Sequence, residues 1–341
     1  MLQADLSRHS DAAVAARLVA LAALLAASMV LAVRLGAVPL SLGEVADALA
    51  GRGDGATVAI VRQLRLPRAL QAALVGAALA LSGAAFQALL RNALAEPYIL
   101  GVSSGAAVGA VGTLVLGAGA TAAWALPAGA FAGALLAIVL VFRIAAGVGP
   151  GLDTRVLLLA GVVVAAFFNA LILLLLTFAD QDTYRSALFW MMGSHAGATW
   201  GGVAAAGAYL AAGAAVLLAL ARPLNLLAVG EETATYLGAR VERTKRLAFG
   251  AASLLAAGAV AVSGVIGFVG LVVPHVARLL WGSDHRTLLP GAALLGASFL
   301  VLCDLAARLV ARPGELPIGV VTAFVGVPFF VWLLRRRGAG R

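Results

Sequence analysis

The chain has 341 residues, 63% of them hydrophobic and only 11% charged, with a mean hydropathy of +1.04. Soluble domains carry about a quarter charged residues, so this composition excludes a water-soluble globular enzyme and places the chain in a bilayer. Its formal charge of +9 would suit a nucleic-acid binder, but the positions of the cationic residues assign that surplus to membrane topology, and the one cysteine, Cys303, provides neither a disulfide framework nor a thiolate metal site.

A helix needs about 20 apolar residues to cross the roughly 30 Å of hydrocarbon. About ten such segments follow one another, at 18–34, 66–90, 98–117, 122–142, 156–178, 200–221, 247–262, 265–281, 288–307 and 317–334. The first follows Arg8 and Arg17 and so mimics a secretory signal, but it reads as an uncleaved first span. With both ends inside, about sixteen of the 24 cationic residues fall on the inner loops and tails, among them Arg8, Arg17, Arg335, Arg336, Arg337 and Arg341. The outer side keeps about eight.

Residues 35–61, with Gly51, Gly53 and Gly55, form an outer connection. Arg62, Arg65 and Arg68 follow at intervals of three, and Pro67 marks the start of the second span. Guanidinium forks there suit carboxylates of an acidic partner; lipid-headgroup anchoring is the other reading. Gly76, Gly83, Gly101, Gly105, Gly109, Gly264, Gly267 and Gly270 predict close helix approaches. Gly101–Gly105 also spells G-x-S-x-G, with Ser103 as nucleophile and His275 as an imaginable base, but that motif needs a strand-turn-helix setting and here opens an apolar helix.

Arg222 to Arg246 is the main polar island. Pro223 near a helix start and Gly230 as a stop predict one short helix. Glu231 and Glu232 at the positive end of a second, closed by Gly238, predict another. Two short helices joined at Gly230 form a cytoplasmic docking element. The next apolar stretch, 247–281, would overshoot the membrane as one helix and is divided at Ser263-Gly264. Arg65-Leu66, Ala80 and Ser82-Gly83 recur 181 residues later as Arg246-Leu247, Ala261 and Ser263-Gly264, which suggests duplication. Asp304, the main ionisable residue inside a span, stands four before Arg308 and predicts an intrahelical pair near the outer surface.

The spans offer no carboxylate relay for proton coupling and no cluster of first-shell ligands for a bare metal ion. There is no G-x-x-x-x-G-K-[ST], and the sole lysine, Lys245, is not preceded by glycine. Energy then comes from a separate ATPase on the polar island; a secondary carrier working alone is the alternative.

Several blocks together resemble one family. They are Arg65-Leu66-Pro67-Arg68, Gly76 to Gly83, Gln87 with Arg91-Asn92, Leu94-Ala95-Glu96-Pro97, Leu100 to Ala106, Leu224-Asn225 with Gly230-Glu231-Glu232, Gly264 to Leu271 with Pro274-His275, and Glu315 to Thr322 with Gly326 to Phe329. In this order they resemble the FecCD-type, BtuC-like permeases of ABC importers for ferric siderophores, haem and cobalamin. Ala93 departs from the proline common after Arg-Asn in that family.

The resemblance implies an all-α polytopic membrane protein of about ten transmembrane helices, a single domain over 1–341 with 222–246 as its coupling segment. It implies a multi-pass protein of the bacterial cytoplasmic (inner) membrane that pairs with a copy of itself. Two ATP-binding subunits would dock inside, one substrate-binding protein outside, and the chain would need no cofactor, metal or nucleic acid and perform no catalysis itself. Arg65, Arg68 and Arg308 would receive acidic residues of the binding protein. Leu226, Gly230, Glu231, Glu232, Ala234, Leu237 and Gly238 would engage the ATPase. The implied cargo is an iron chelate, with cobalamin as the alternative.

Overall fold

A computed structural model describes residues 2–118, 122, 124–148 and 153–338, with the side chains of 2–11, 334 and 336–338 outside the description. Arg341, assigned inside above, lies outside the described residues, as do the side chains of Arg8, Arg336 and Arg337.

Among the described residues the secondary structure is wholly helical. The chain runs α1 Leu2–Arg34, α2 Leu42–Leu49, α3 Gly55–Ala59, α4 Leu66–Leu89, α5 Val102–Val115, α6 Ala125–Val148, α7 Thr154–Thr177 and α8 Gln181–Met191. It continues α9 Trp200–Ala219, α10 Ala221–Val229, α11 Glu231–Tyr236, α12 Val241–Ser263, α13 Val269–Trp281, α14 His285–Val310 and α15 Ile318–Gly338. Seven stretches are long and apolar enough to cross a membrane, and α5, α13 and most of α15 are shorter apolar helices, so the ten expected segments are all present.

Several segments begin elsewhere than expected, among them the first, helical already from Leu2, the seventh, from Val241, and two that shape the site. The second span starts at Gly55, not near Pro67, and its turn Ile60–Arg65 is π-helical. Leu66 N–H donates to Val61 O, five residues back, and the wider turn admits Pro67, which has no N–H to lose. The eighth span was expected from 265, but the helix begins only at Val269. Gly264 leaves the helix at φ 69° and Phe268 takes φ 68°, so 264–268 run unwound through the bundle.

The helices sort into a core and a rim. Inside the protein lie 83% of the apolar window of Gly55–Leu89 and 72% of that of Val241–Ser263, against 11% for Ala12–Arg34 and 17% for Trp200–Ala219. Lipid tails are as apolar as leucine, so the core coheres by close packing and not by exclusion of water. That requirement explains the glycines: Gly76 meets Gly296 between α4 and α14, and Gly83 meets Gly270 between α4 and α13. Gly105 and Gly109 of α5 face Gly133 and Gly129 of α6. A methyl group on Gly83 would stand 1.9 Å from Gly270 O, and one on Gly109 1.9 Å from Gly129 O. Gly267 and Gly101, also expected at close approaches, meet only ordinary contacts. The 181-residue echo falls on unlike geometry: Gly83 is inside α4, whereas Gly264 ends α12.

Candidate functional site

Three regions carry the chemistry, strung along α14. Asp284 and His285 start that helix and Asp304 and Arg308 lie near its end, about 30 Å away at 1.5 Å per residue.

At the far end the arginines are turned inward. The sequence spacing suggested guanidinium groups presented outward, but Arg65 is 7% and Arg68 9% exposed, and only Arg62 of the triplet is open to solvent. The π-helical turn shifts Arg65 toward α1, where it donates to the carbonyls of Val33 (2.9 Å), Arg34 (3.0 Å) and Val38. Arg68 Nε donates to both oxygens of Asp304 (3.0 and 3.1 Å), and its terminal nitrogens form a fork on Glu315 (3.0 and 2.9 Å). The expected Asp304–Arg308 pair is present at 3.1 Å, without the alignment of a hydrogen bond, and Arg308 also donates to Ala32 O (3.1 Å) and Leu35 O (3.4 Å). Arg65, Arg68, Arg308 and Glu315, with Arg312, line a cavity of about 750 Å³, and the buried Asp304 pairs with Arg68 and Arg308 behind that lining. Backbone carbonyls satisfy guanidinium protons without cancelling charge, so four arginines against Asp304 and Glu315 leave the cavity a formal surplus of two positive charges. Behind Arg68, Gln71 of α4 ties Val262 O (2.8 Å) to His195 Nδ1 (3.3 Å). His195 is fully buried in the α8–α9 connection, and burial pushes its pKa down to about 4 against a smaller opposing pull from Asp304.

At the near end the two short helices form as expected, and Gly230, at φ 148°, joins them. Leu224 and Leu227 bury against the bundle, and Ala234 of α11 is also fully buried. Glu231 does not face outward: its carboxylate takes Lys245 Nζ at 2.6 Å, strutting α11 onto α12. Glu232, Leu237 and Gly238 are exposed, Gly230 and Leu226 half-buried. Sequence reasoning missed the most protruding apolar groups of this element, Tyr236 (90% exposed) and Val229 (73%), although Val229 adjoins Gly230 and Tyr236 stands two residues before Gly238, the glycines that mark the helix ends. A cavity of about 450 Å³ between α10 and α12 is lined by Arg222, Leu226, Leu237, Gly238, Arg240 and Arg243. Asn225 hooks this element to α14, donating to Asp284 Oδ1 (2.7 Å) and accepting from His285 N–H (2.8 Å).

Between the two ends, the turn after α8, the unwound 264–268 stretch and α15 line an open apolar cavity of about 600 Å³. Met191, Met192, Val265, Phe268, Val320 and Phe324 are among its walls, and no ionisable side chain lines it. Ser103 opens α5, where Gly101 follows a 3-10 turn and not a strand, so the G-x-S-x-G pattern lacks its required setting. His275 instead stacks edge-on to Phe329 of α15.

The helical bundle thus carries two short helices at one end, a charged cavity at the opposite end and a chargeless cavity between them. The chain matches the FecCD transport family over residues 24–336 and belongs to it. It is 42% identical over 326 residues to the uncharacterized ABC transporter permease protein YvrB of Bacillus subtilis, covering 93% of this chain and 92% of that one. It is 48% identical over 278 residues to the cobalamin import system permease protein BtuC of Halobacterium salinarum, covering 82% and 74%. Among solved structures it resembles an inward-facing conformation of a metal-chelate type ABC transporter, with a TM-score of 0.84 and 33% identity over 94% of this chain and 98% of that one. The protein is thus the permease component of an ABC importer, multi-pass in the cytoplasmic membrane.

Proposed function

We propose that this permease carries an iron chelate, a ferric siderophore or haem, powered by two ATP-binding subunits and fed by an external substrate-binding protein. The supporting observation is the central cavity, whose 600 Å³ are bounded by methionine, phenylalanine and aliphatic groups. A naked ion would need oxygen, nitrogen or sulfur ligands with charge; a preformed chelate presents its own shell and needs only room. Tight binding there would slow release, so recognition belongs to the external protein. Cobalamin is the second reading, favoured by the 48% identity to a cobalamin permease.

In this reading two copies of the chain pair around the pathway. Each ATPase grips one α10–α11 tip through Leu226, Gly230, Glu232, Leu237 and Gly238, with Glu231 and Ala234 fixing the tip to the bundle. Nucleotide-driven closure biases two arrangements of the helices, the differential contact that any driven switch requires. The binding protein seats over the charged cavity at Arg65, Arg68 and Arg308. Its acidic residue reaches Arg68 by displacing Glu315, whose side chain is 41% exposed. The test is uptake into liposomes holding the permease and its ATPase, with haem, ferrichrome and cyanocobalamin offered separately on the binding protein. Accumulation of haem or ferrichrome alone supports the iron reading, and accumulation of cyanocobalamin alone replaces it with the second.

A further inference from the structure

The connection between α4 and α5 reaches from the docking end to the central cavity and ends on the unwound stretch. Among the described residues only two non-glycine residues have positive φ, Arg91 (46°) and Phe268 (68°). Arg91 begins this connection, and Phe268 is where its far part lands. Glu96 Oε1 accepts the Phe268 N–H at 2.7 Å, and the Tyr98 hydroxyl takes both backbone groups of Ile266, donating to its carbonyl (2.9 Å) and accepting from its N–H (3.1 Å). Three hydrogen bonds from one connection therefore satisfy backbone that would otherwise be stranded at membrane depth.

A phenylalanine in the left-handed region is costly, and such strain persists only where the surroundings enforce it. Here it aims the ring. Phe268 Cδ1 and Cγ both lie 2.6 Å from where a Cβ on Gly326 would stand, so the side chain is pressed against α15 at a position kept bare for it, and it walls the apolar cavity. Its carbonyl accepts from Leu271 N–H (3.2 Å) and Val272 N–H (2.8 Å), which makes it the cap of α13. The ring stands at the junction of α13 with the cavity and α15, and with the Glu96 bond made it is held against Gly326.

We propose that Phe268 is a gate of the central cavity and that Glu96 is the positioning residue that holds it closed through its backbone N–H. This rests on the transport reading above, and the connection's inner start beside Gln87, which accepts from Arg278, is where movement of the docking end enters it. The gate has no part in choosing the cargo; it stops cargo from slipping back.

The experiment uses the permease with its ATPase in liposomes, ATP on the ATPase side, and haem, ferrichrome and cyanocobalamin each offered on the substrate-binding protein. Cargo retained per ATP hydrolysed is measured for wild type, Phe268→Gly, Glu96→Ala and Glu96→Gln. Glycine tolerates the positive φ, so Phe268→Gly removes the ring and leaves the backbone in place. The expected result is ATP hydrolysis near the wild-type rate with about tenfold less cargo retained per ATP for Phe268→Gly and Glu96→Ala. Glu96→Gln keeps an acceptor oxygen and returns to within about twofold of wild type. Phe268→Gly coupling as well as wild type, or Glu96→Gln behaving as Glu96→Ala, overturns the proposal. A wild type that retains none of the three cargoes sinks the transport reading, and this inference with it, and is told apart because the parent protein is then silent.

Discussion

Asp304 is the residue whose loss should do the most damage at the charged end. Its carboxylate, 1% exposed, sits between the guanidinium groups of Arg68 and Arg308, themselves 11% and 8% exposed at the side chain. Asp304→Ala leaves Arg68 with Glu315 alone and Arg308 with only backbone carbonyls, while the two positive charges face each other across the gap. Removing one partner of a buried pair costs about 3–5 kcal/mol, because the surviving charge stays buried without its counterion. Burial here is nearly complete, so little screening discounts that range. Thermal unfolding of the purified permease in detergent should therefore fall by several degrees at least. The control is Asp304→Leu combined with Arg308→Met, which removes one whole pair and leaves the Arg68–Glu315 fork; this double variant should recover part of the loss, since apolar replacement of a complete buried pair is often neutral. A single variant that melts with wild type, or a double variant worse than the single by another full increment, would refute the reasoning.

Gly83→Ala drives a methyl group into Gly270 O and should destabilise by about 1–3 kcal/mol, whereas Gly250→Ala, in open space on α12, should be neutral or gain up to about 1 kcal/mol; equal melting shifts would contradict the close-packing account. His195 is held neutral, its pKa lowered from 6.5 to about 4, so its contribution is complete above pH 6.5 and is lost as the pH falls toward 4, up to about 3 kcal/mol. Melting curves between pH 7.5 and 4.5 should show wild type losing more than His195→Gln, and parallel curves would exclude the histidine as the cause. Tyr236→Asp with Leu237→Asp alters only exposed groups, so it should leave the melting temperature unchanged and weaken co-purification of the ATPase at least tenfold.

Much of this was legible in the sequence because bilayers impose coarse rules. Span number, the division at Ser263-Gly264, the two short helices around Gly230 and the Asp304–Arg308 pair follow from length, glycine and charge spacing, and all are present. What was missed depends on three-dimensional accounting. The capping box of Ser41 and Glu44 announces α2, but it stands in a stretch whose glycines read as a loop. Arg65 and Arg68 look presentable at a spacing of three, but a π-helical turn is invisible in sequence and changes their direction. Glu231 looks like an outward acid until Lys245, fourteen residues on, comes within 2.6 Å. Phe268 gave no sign of positive φ, because the pressure that enforces it comes from Glu96 and Tyr98, some 170 residues earlier in the chain.

The most direct test of the central claim is whether ATP hydrolysis by the ATPase that grips the α10–α11 tip drives cargo through this chain. Liposomes containing the permease, its ATPase and the loaded binding protein should accumulate cargo against a gradient with ATP, and should accumulate none with a non-hydrolysable analogue or with the Tyr236→Asp, Leu237→Asp variant. Accumulation that proceeds without ATP, or equally well without the ATPase, would contradict the account and make the protein a carrier working alone.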